Sequence, residues 1–296
     1  MDRLRSIVVG VDFSEASAVA MRQAQRLALW STAAVHPVHV AFPPVEFVPD
    51  PVFYPLPMVP AENVVADAKA AWAEFGKDVP GRAALGLEII VGQPLAELQR
   101  FAKERGADLI IVGASQASGR GVGTFAAACV RHPACKVLIV RESTPGVFRR
   151  MVVGVDFSDN SARALEAAAR FAAQDSADVR IVHIFRPPWK HARAKATDAL
   201  SDEEFRERYR DALKGHLRAF CEKTVAEMAY LRPRYEVHED DSPGRGLLAA
   251  IAGGADLVVV GTHGRSNLRE FLLGRTTDRV LREATCSILA VPGGAA

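Results

Sequence analysis

The chain is poor in the features that mark several large classes of protein. It holds only 4 cysteines in 296 residues, too few and too scattered (129, 135, 221 and 286) for a disulfide framework. None stands in a CxxC or Cys/His spacing that would hold zinc. Its apolar runs are short: Leu109–Gly113 and Leu257–Gly261 fall far below the roughly 20 residues a membrane span needs. Charge of one sign is lacking too. With 37 Lys and Arg against 35 Asp and Glu, the formal net charge is +2, which gives nucleic acid no electrostatic claim as an obligate partner. Met1–Ser6 is charged and runs straight into a strand-like segment, unlike a secretory leader. What remains is an ordinary globular composition, 49% apolar and 24% charged, in a chain about twice the size of one domain. The expectation is a soluble, cytoplasmic protein of two domains.

The chain also repeats itself. VVGVDFS at Val8–Ser14 returns at Val152–Ser158, and Ser17, Ala18, Ala20, Ala24, Arg26 and Ala28 recur as Ser161, Ala162, Ala164, Ala168, Arg170 and Ala172. GADLIIVG (Gly106–Gly113) is echoed by GADLVVVG (Gly254–Gly261), and RHPACKVLIV (Arg131–Val140) by REATCSILAV (Arg282–Val291). Three blocks in one order at matching spacing mean one domain written twice. The polar segment Arg141–Phe148, with its Pro-Gly turn, reads as the linker, which sets domains at 1–144 and 149–296.

Within each half, short apolar runs alternate with helical patterns. In the first, strands are expected at Ser6–Val11, Ala34–Ala41, Leu87–Val91, Asp108–Gly113 and Lys136–Val140. Helices are expected at Glu15–Trp30, Ala61–Val79, Pro94–Arg105 and near Thr124–Arg131. The second half repeats the pattern with a longer helix from Ser201 to about Tyr230, for which Ser201 and Glu204 make a capping box. Strands apolar throughout and separated by helices imply parallel sheets covered on both faces. The fold class is α/β, doubly wound, twice over.

Such sheets bind ligands beyond the carboxyl ends of their strands, at the switch in strand order. Asp12 and Asp156 follow the first strand of each half. Each could share helix-capping duty with Ser14 or Ser158, or accept a hydrogen bond from the amino group of a base. The richest strand end runs Gly261-Thr-His-Gly264-Arg265 and continues to Gly274-Arg275-Thr276-Thr277. Glycines there let backbone amides approach an oxyanion, a helix opening after Gly274 adds its dipole, and Thr276 and Thr277 offer hydroxyls. Two turns and a helix cap would use the same glycines. The segment is neither a Walker loop nor a GxGxxG fingerprint.

The repeated VGVDFS opening, GADLVVVGTHGRSNLREFLLG and the closing SILAV strand resemble the universal stress protein family in its tandem form. The resemblance spans nearly the whole chain, more closely in the second half. It implies, for each half, a five-stranded parallel sheet of Rossmann-like, adenine nucleotide alpha hydrolase-like type. For one branch it implies ATP bound through G-x2-G-x9-G-(S/T), whose spacing Gly261, Gly264 and Gly274 keep. Carried over, Asp156 and Ile184 would contact the adenosine and the glycine loop would hold the phosphates, with Val260 and Arg265 in the same nucleotide-binding set. Arg275 stands where the motif has Ser or Thr; it could pair with phosphate or disturb the loop. In the first half Gly123-Thr124 match the final pair, but the loop from Gly113 is 3 residues shorter and Gln116 replaces the second glycine. Asp12, Val40, Gly113, Gly123 and Thr124 are therefore the weaker set of candidates.

Other features have plainer readings. Phe42–Pro60 carries 7 prolines among aromatics, which suits a flap packed over a crevice or, alternatively, a partner-docking lid. The basic insert Arg186–Lys195 reads as a solvated loop that could also attract phosphate. His39 and His183 are expected as hydrogen-bonded strand residues rather than metal ligands, and Cys135 and Cys286 as core. His263 is the one candidate for proton transfer, with no Ser or Cys nucleophile visible beside it. Three functions stay open: a module binding ATP, with magnesium accompanying the nucleotide, whose surface a protein partner reads in stress; a slow ATPase; and a structural adaptor with no nucleotide. By resemblance, the last strands of the two halves could pair as a pseudo-dimer within the chain, and chains could pair further as a homodimer.

Overall fold

A computed structural model describes residues 4–42, 61–114, 121–143, 146–190, 202–264 and 273–293. It divides into two compact units, one of Met1–Ser115 with Thr124–Gly146, the other of Gln116–Gly123 with Val147–Ala296. The first carries β1 (Ser6–Gly10), α1 (Glu15–Ser31), β2 (Ala34–Ala41), α2 (Ala61–Glu74), β3 (Glu88–Val91), α3 (Pro94–Glu104), β4 (Leu109–Gly113), α4 (Thr124–Arg131) and β5 (Lys136–Val140). Its strands lie in the order β3-β2-β1-β4-β5, and every pair is parallel. The second carries β6 (Arg150–Gly154), α5 (Asp159–Asp175), β7 (Asp178–Phe185), α6 (Asp202–Thr224), β8 (Arg234–Glu239), α7 (Pro243–Ala252), β9 (Leu257–Gly261), α8 (Arg275–Glu283) and β10 (Ser287–Val291). Its order, β8-β7-β6-β9-β10, repeats the first, again with parallel pairs throughout. In each unit the chain starts in the middle, winds outward, and then crosses to the other side. The switch point lies between β1 and β4, and between β6 and β9.

The repeated sequence blocks have visible structural duties. The central strands are apolar on both faces: Ile7, Val8, Val9, Ile110, Ile111, Val153, Val258 and Val259 are all fully buried, as covered parallel strands require. The Asp of each GAD block ties its strand to the central one. Asp108 Oδ2 accepts from the amides of Arg5 (2.7 Å) and Ser6 (3.1 Å), and the Asp256 carboxylate accepts from those of Arg149 (2.9 Å) and Arg150 (3.0 Å). The Asp-Phe-Ser of each opening makes the turn into the first helix. Ser14 and Ser158 cap α1 and α5, accepting from the amides of Ser17 at 3.2 Å and Ser161 at 3.1 Å. Between Asp and Ser, Phe13 and Phe157 sit at φ 64° and 63°, a left-handed conformation that bulky side chains avoid unless their surroundings hold them. Each ring lies against the strand-two histidine, 4.6 Å from His39 and 4.5 Å from His183 between centroids.

Two expected helices end early. α2 stops at Glu74 rather than Val79, because Gly76 turns the chain at φ 58°, a common helix stop. α6 stops at Thr224, whose hydroxyl donates back to the Phe220 carbonyl at 2.7 Å, and a separate 3-10 turn covers Ala226–Leu231. Ser201, half of the expected capping box, lies outside the described residues, as do most of the proline-rich stretch (43–60) and part of the basic insert (191–195). The expected hydrogen bonding of the histidines holds: each donates through Nδ1 to a carbonyl, His39 to Val11 at 2.7 Å and His183 to Val155 at 2.8 Å. His183 is buried, whereas His39 is half-buried.

Candidate functional site

The second unit opens a cleft of about 790 Å³ beside the ends of β6, β7 and β9, within the size range of small-molecule sites. Three of its five strands line it, as the doubly wound order dictates at the switch point. Asp156, immediately after β6, lines it together with Ile184 near the end of β7 and Val260 and Gly261 at the end of β9. Gly264, Gly274, Thr276 and Thr277 complete the wall. All these residues were named from the sequence, and they meet in one place. Arg265 lies outside the described residues.

Asp156 has two different edges. Its Oδ1 accepts from the Ser158 amide at 3.1 Å and from the Ser158 hydroxyl at 2.5 Å, so it does take part in the capping turn. Its Oδ2 lies against Gly264, where an added Cβ would come within 2.7 Å. The carboxylate thus closes against the glycine loop, and any side chain at Gly264 would force it or the loop to move. Gly261 is hemmed in likewise: a Cβ there would meet Asn160 Nδ2 at 2.8 Å. The same Nδ2 donates to the carbonyl of His263 at 3.0 Å, and Thr277 donates its hydroxyl proton to the Gly261 carbonyl at 2.6 Å. Asn160 and Thr277 therefore latch the two ends of the loop, and both are buried. The Thr277 hydroxyl is thereby spent inside the loop.

The loop closes where the Gly274 amide donates to the Thr262 carbonyl at 2.8 Å. α8 begins there with Gly274 as its N-cap and no side chain capping it. The first amide returned to the helix is that of Asp278, to the Gly274 carbonyl at 2.9 Å. Those of Arg275, Thr276 and Thr277 precede it, where helical amides lack intrahelical partners and favour an anion. A second helix start, α7, meets the cleft through Asp241, Ser242, Pro243 and Gly244. It too has no side-chain cap at Ser242. Two glycines let α7 close in: a Cβ on Gly246 would lie 2.8 Å from Ile184 Cγ2, and one on Gly244 would lie 3.0 Å from Arg279 Cδ. The motifs in the sequence do not include this wall; its one local signal is Pro243, in the first turn of a helix that opens shortly after β8.

Charge is arranged unevenly around the wall. Arg186, Arg275, Arg279 and Arg282 line the cleft against Asp156, Asp241 and Asp278. Arg282 pairs with Asp278 at 2.7 Å and Arg279 with Glu283 at 2.9 Å. His263 faces the cleft with Nδ1 at 2.8 Å from the Thr262 hydroxyl. Among the described residues no cluster of three or more His, Cys, Asp or Glu gathers as a metal site. Burial pushes the Cys129, Cys135 and Cys221 thiols up to about 12, so none offers a thiolate nucleophile near neutral pH. The arrangement is suited to holding a ligand with an anionic end.

A model of the universal stress protein family matches residues 3–141 and again 148–292. The chain belongs to the universal stress protein family. It is a tandem member, since the two matches follow one another and together take in nearly all of it. The universal stress protein YxiE of Bacillus subtilis is 29% identical over 147 residues, 49% of this chain and 99% of the relative. A universal stress protein of Mycobacterium bovis is 26% identical over 238 residues, 77% of this chain and 75% of the relative. A crystal structure of a universal stress protein from Archaeoglobus fulgidus superposes with a TM-score of 0.64 at 16% identity, covering 98% of both chains; it shares the fold.

The first unit of this tandem universal stress protein differs at the same strand ends. Asp12 Oδ1 accepts from Ser14 N at 3.0 Å and from Ser14 Oγ at 2.5 Å. Partial burial would raise its pKa, but the bonds from Ser14 and Ser17 outweigh that and leave it lowered. Ala16 occupies the position of Asn160, so no side-chain amide can pin the loop. Gly113 is pressed onto α1, where a Cβ would come 2.4 Å from the Ala16 backbone. Val40 lies in β2 one residue from its end, and Thr124 opens α4 directly after Gly123, which sits at φ 83°. Gln116 lies outside the described residues. The switch-point aspartate is retained here, and the amide latch is lost.

Proposed function

We propose that this tandem universal stress protein binds an adenine nucleotide, ATP in the first instance, in the cleft of its second unit. The observation that carries this reading is the convergence of Asp156, Ile184 and the latched Gly261–Gly264 edge with the uncapped start of α8 in one cleft. Asp156 offers a carboxylate to the amino group of a base, and Ile184 and Val260 offer apolar contact to its ring. The amides of Arg275, Thr276 and Thr277 and the Thr276 hydroxyl face the phosphates. Occupancy then changes the surface that the cleft offers to a protein partner in a stress response. Domains at 1–144 and 149–296 divide the labour, the first keeping the fold and the second the ligand. No helix among the described residues is long and apolar enough to cross a membrane, and the cytoplasm, where ATP is abundant, is the compartment that suits this role.

Melting of purified, nucleotide-stripped protein with and without millimolar ATP tests the reading. Binding raises the melting temperature by mass action. No rise at any ATP concentration up to that range, with or without magnesium, rejects the nucleotide site.

A further inference from the structure

The four arginines that line the cleft among the described residues are not equivalent. Arg282 is engaged by Asp278 at 2.7 Å. Arg279 is engaged by Glu283 at 2.9 Å and reaches the Ser242 hydroxyl at 3.3 Å. Arg275 and Arg186 have no ion pair or hydrogen bond among the described residues, and both side chains stand exposed at the cleft wall. They come from different elements: Arg275 opens α8, beside the amides that precede the first helical hydrogen bond, and Arg186 follows β7, two residues after Ile184. An exposed guanidinium gains little from an isolated surface contact but much from a phosphate, which it can grip with two parallel N–H···O bonds. The three carboxylates that line the cleft among the described residues, Asp156, Asp241 and Asp278, all have partners. Asp278 holds Arg282, and Asp156 takes Ser158 on one edge and lies against Gly264 on the other.

We propose that this cleft takes its nucleotide as the metal-free polyanion, with Arg275 and Arg186 supplying the positive charge that a magnesium ion would otherwise bring. This rests on the nucleotide reading above and goes beyond it. Magnesium asks for octahedral oxygen ligands and is usually held by one or two carboxylates or hydroxyls together with the phosphates. Here arginine stands at residue 275, where the resembled motif has Ser or Thr, and a cation beside the phosphates repels a divalent ion that would share them. The family motif and this chain part company at one residue, and the chemistry follows that residue.

The test is calorimetric titration of the stripped full-length protein with ATP, once in EDTA and once in excess magnesium, for the unaltered chain and for Arg275→Ser, Arg275→Ala and Arg186→Ala. The unaltered chain is expected to bind in EDTA at least as tightly as in magnesium. Arg275→Ala and Arg186→Ala should each lose roughly tenfold in EDTA, the scale of one charge-assisted contact. Arg275→Ser should reverse the preference and bind more tightly with magnesium. Both side chains are exposed, so ligand-free melting should stay unchanged and separates a binding loss from unfolding. A strict requirement for magnesium in the unaltered chain overturns the proposal, as does an unchanged ratio of the two affinities in Arg275→Ser. If ATP binds in neither buffer, the nucleotide reading itself falls, a result distinct from binding that needs the metal.

Discussion

Gly264→Val perturbs the cleft at its tightest glycine. A Cβ at that position would stand 2.7 Å from Asp156 Oδ2, well inside the roughly 3.5 Å of an ordinary non-bonded contact, and valine adds two methyl groups beyond it. Either the carboxylate turns away or the loop lifts. If the carboxylate turns, it surrenders bonds from the Ser158 amide at 3.1 Å and hydroxyl at 2.5 Å. Hydrogen bonds to a charged group contribute about 1.5–3 kcal/mol each, so losing both bounds the stability loss at about 6 kcal/mol. If the loop lifts, the Asn160–His263 bond at 3.0 Å is strained instead, at a cost of about 1 kcal/mol. Either movement takes Asp156 or the loop amides off the ligand, and losing one such contact weakens ATP binding by about 10- to 100-fold. Calorimetric titration with ATP measures this directly, with a ligand-free melt as the folding control. Gly293→Ala is the matched control, because its added carbon would lie 3.9 Å from His263 Nδ1, an ordinary contact on the same loop. Gly264→Val binding ATP as well as the unaltered chain would refute the reasoning.

Three further outcomes are expected. Asn160→Ala, which gives the second unit the residue of the first, leaves the His263 carbonyl without its donor; it should lower stability by about 1 kcal/mol and weaken ATP binding several-fold, and calorimetry showing neither effect would remove the latch from the account. Gly215→Ala should stabilise the protein by up to about 1 kcal/mol in ligand-free melting, because the glycine lies inside α6 with open space around it and Ala is the better helix former. Glu236 is held down to about 2 from its ordinary 4.5 chiefly by the Arg180 hydrogen bonds, which outweigh burial, with His238 adding to them. Its folded pKa is depressed, so its contribution is present above pH 4.5 and is lost as pH falls toward 2. Denaturant unfolding of Glu236→Gln should show a deficit of about 1–2 kcal/mol at pH 7, allowing for the partial exposure of the pair, that closes by pH 2; a deficit independent of pH would contradict the assignment.

Much of this was legible from the chain because it is written twice. The VVGVDFS, GAD and closing-strand blocks gave the strand ends, and the topology of parallel sheets did the rest by bringing Asp156, Ile184, Gly261 and Gly274 to one edge. What escaped has physical reasons. At the start of α7 Pro243 marks only a helix start, and the part of that helix in the cleft depends on Gly246 letting it approach Ile184, a packing fact with no local signature. Asn160 sits within a helix where an amide looks like any polar residue; only its bond to His263, more than a hundred residues away, reveals the latch. Thr277 was read as a ligand donor, and its hydroxyl turned out to face inward to Gly261. The ends of α2 and α6 were overrun because apolar spacing continues past Gly76 and Thr224 while the backbone does not.

The central claim is that the second unit, and not the first, holds an adenine nucleotide. The most direct measurement is to soak the protein in ATP, remove free ligand, denature it, and quantify released nucleotide per chain by chromatography and mass spectrometry, beside Gly264→Val handled identically. The account predicts roughly one adenine nucleotide per chain, as one well-formed site requires, and a near-complete loss in the variant. No nucleotide in the unaltered chain, or an equal amount in Gly264→Val, would contradict it.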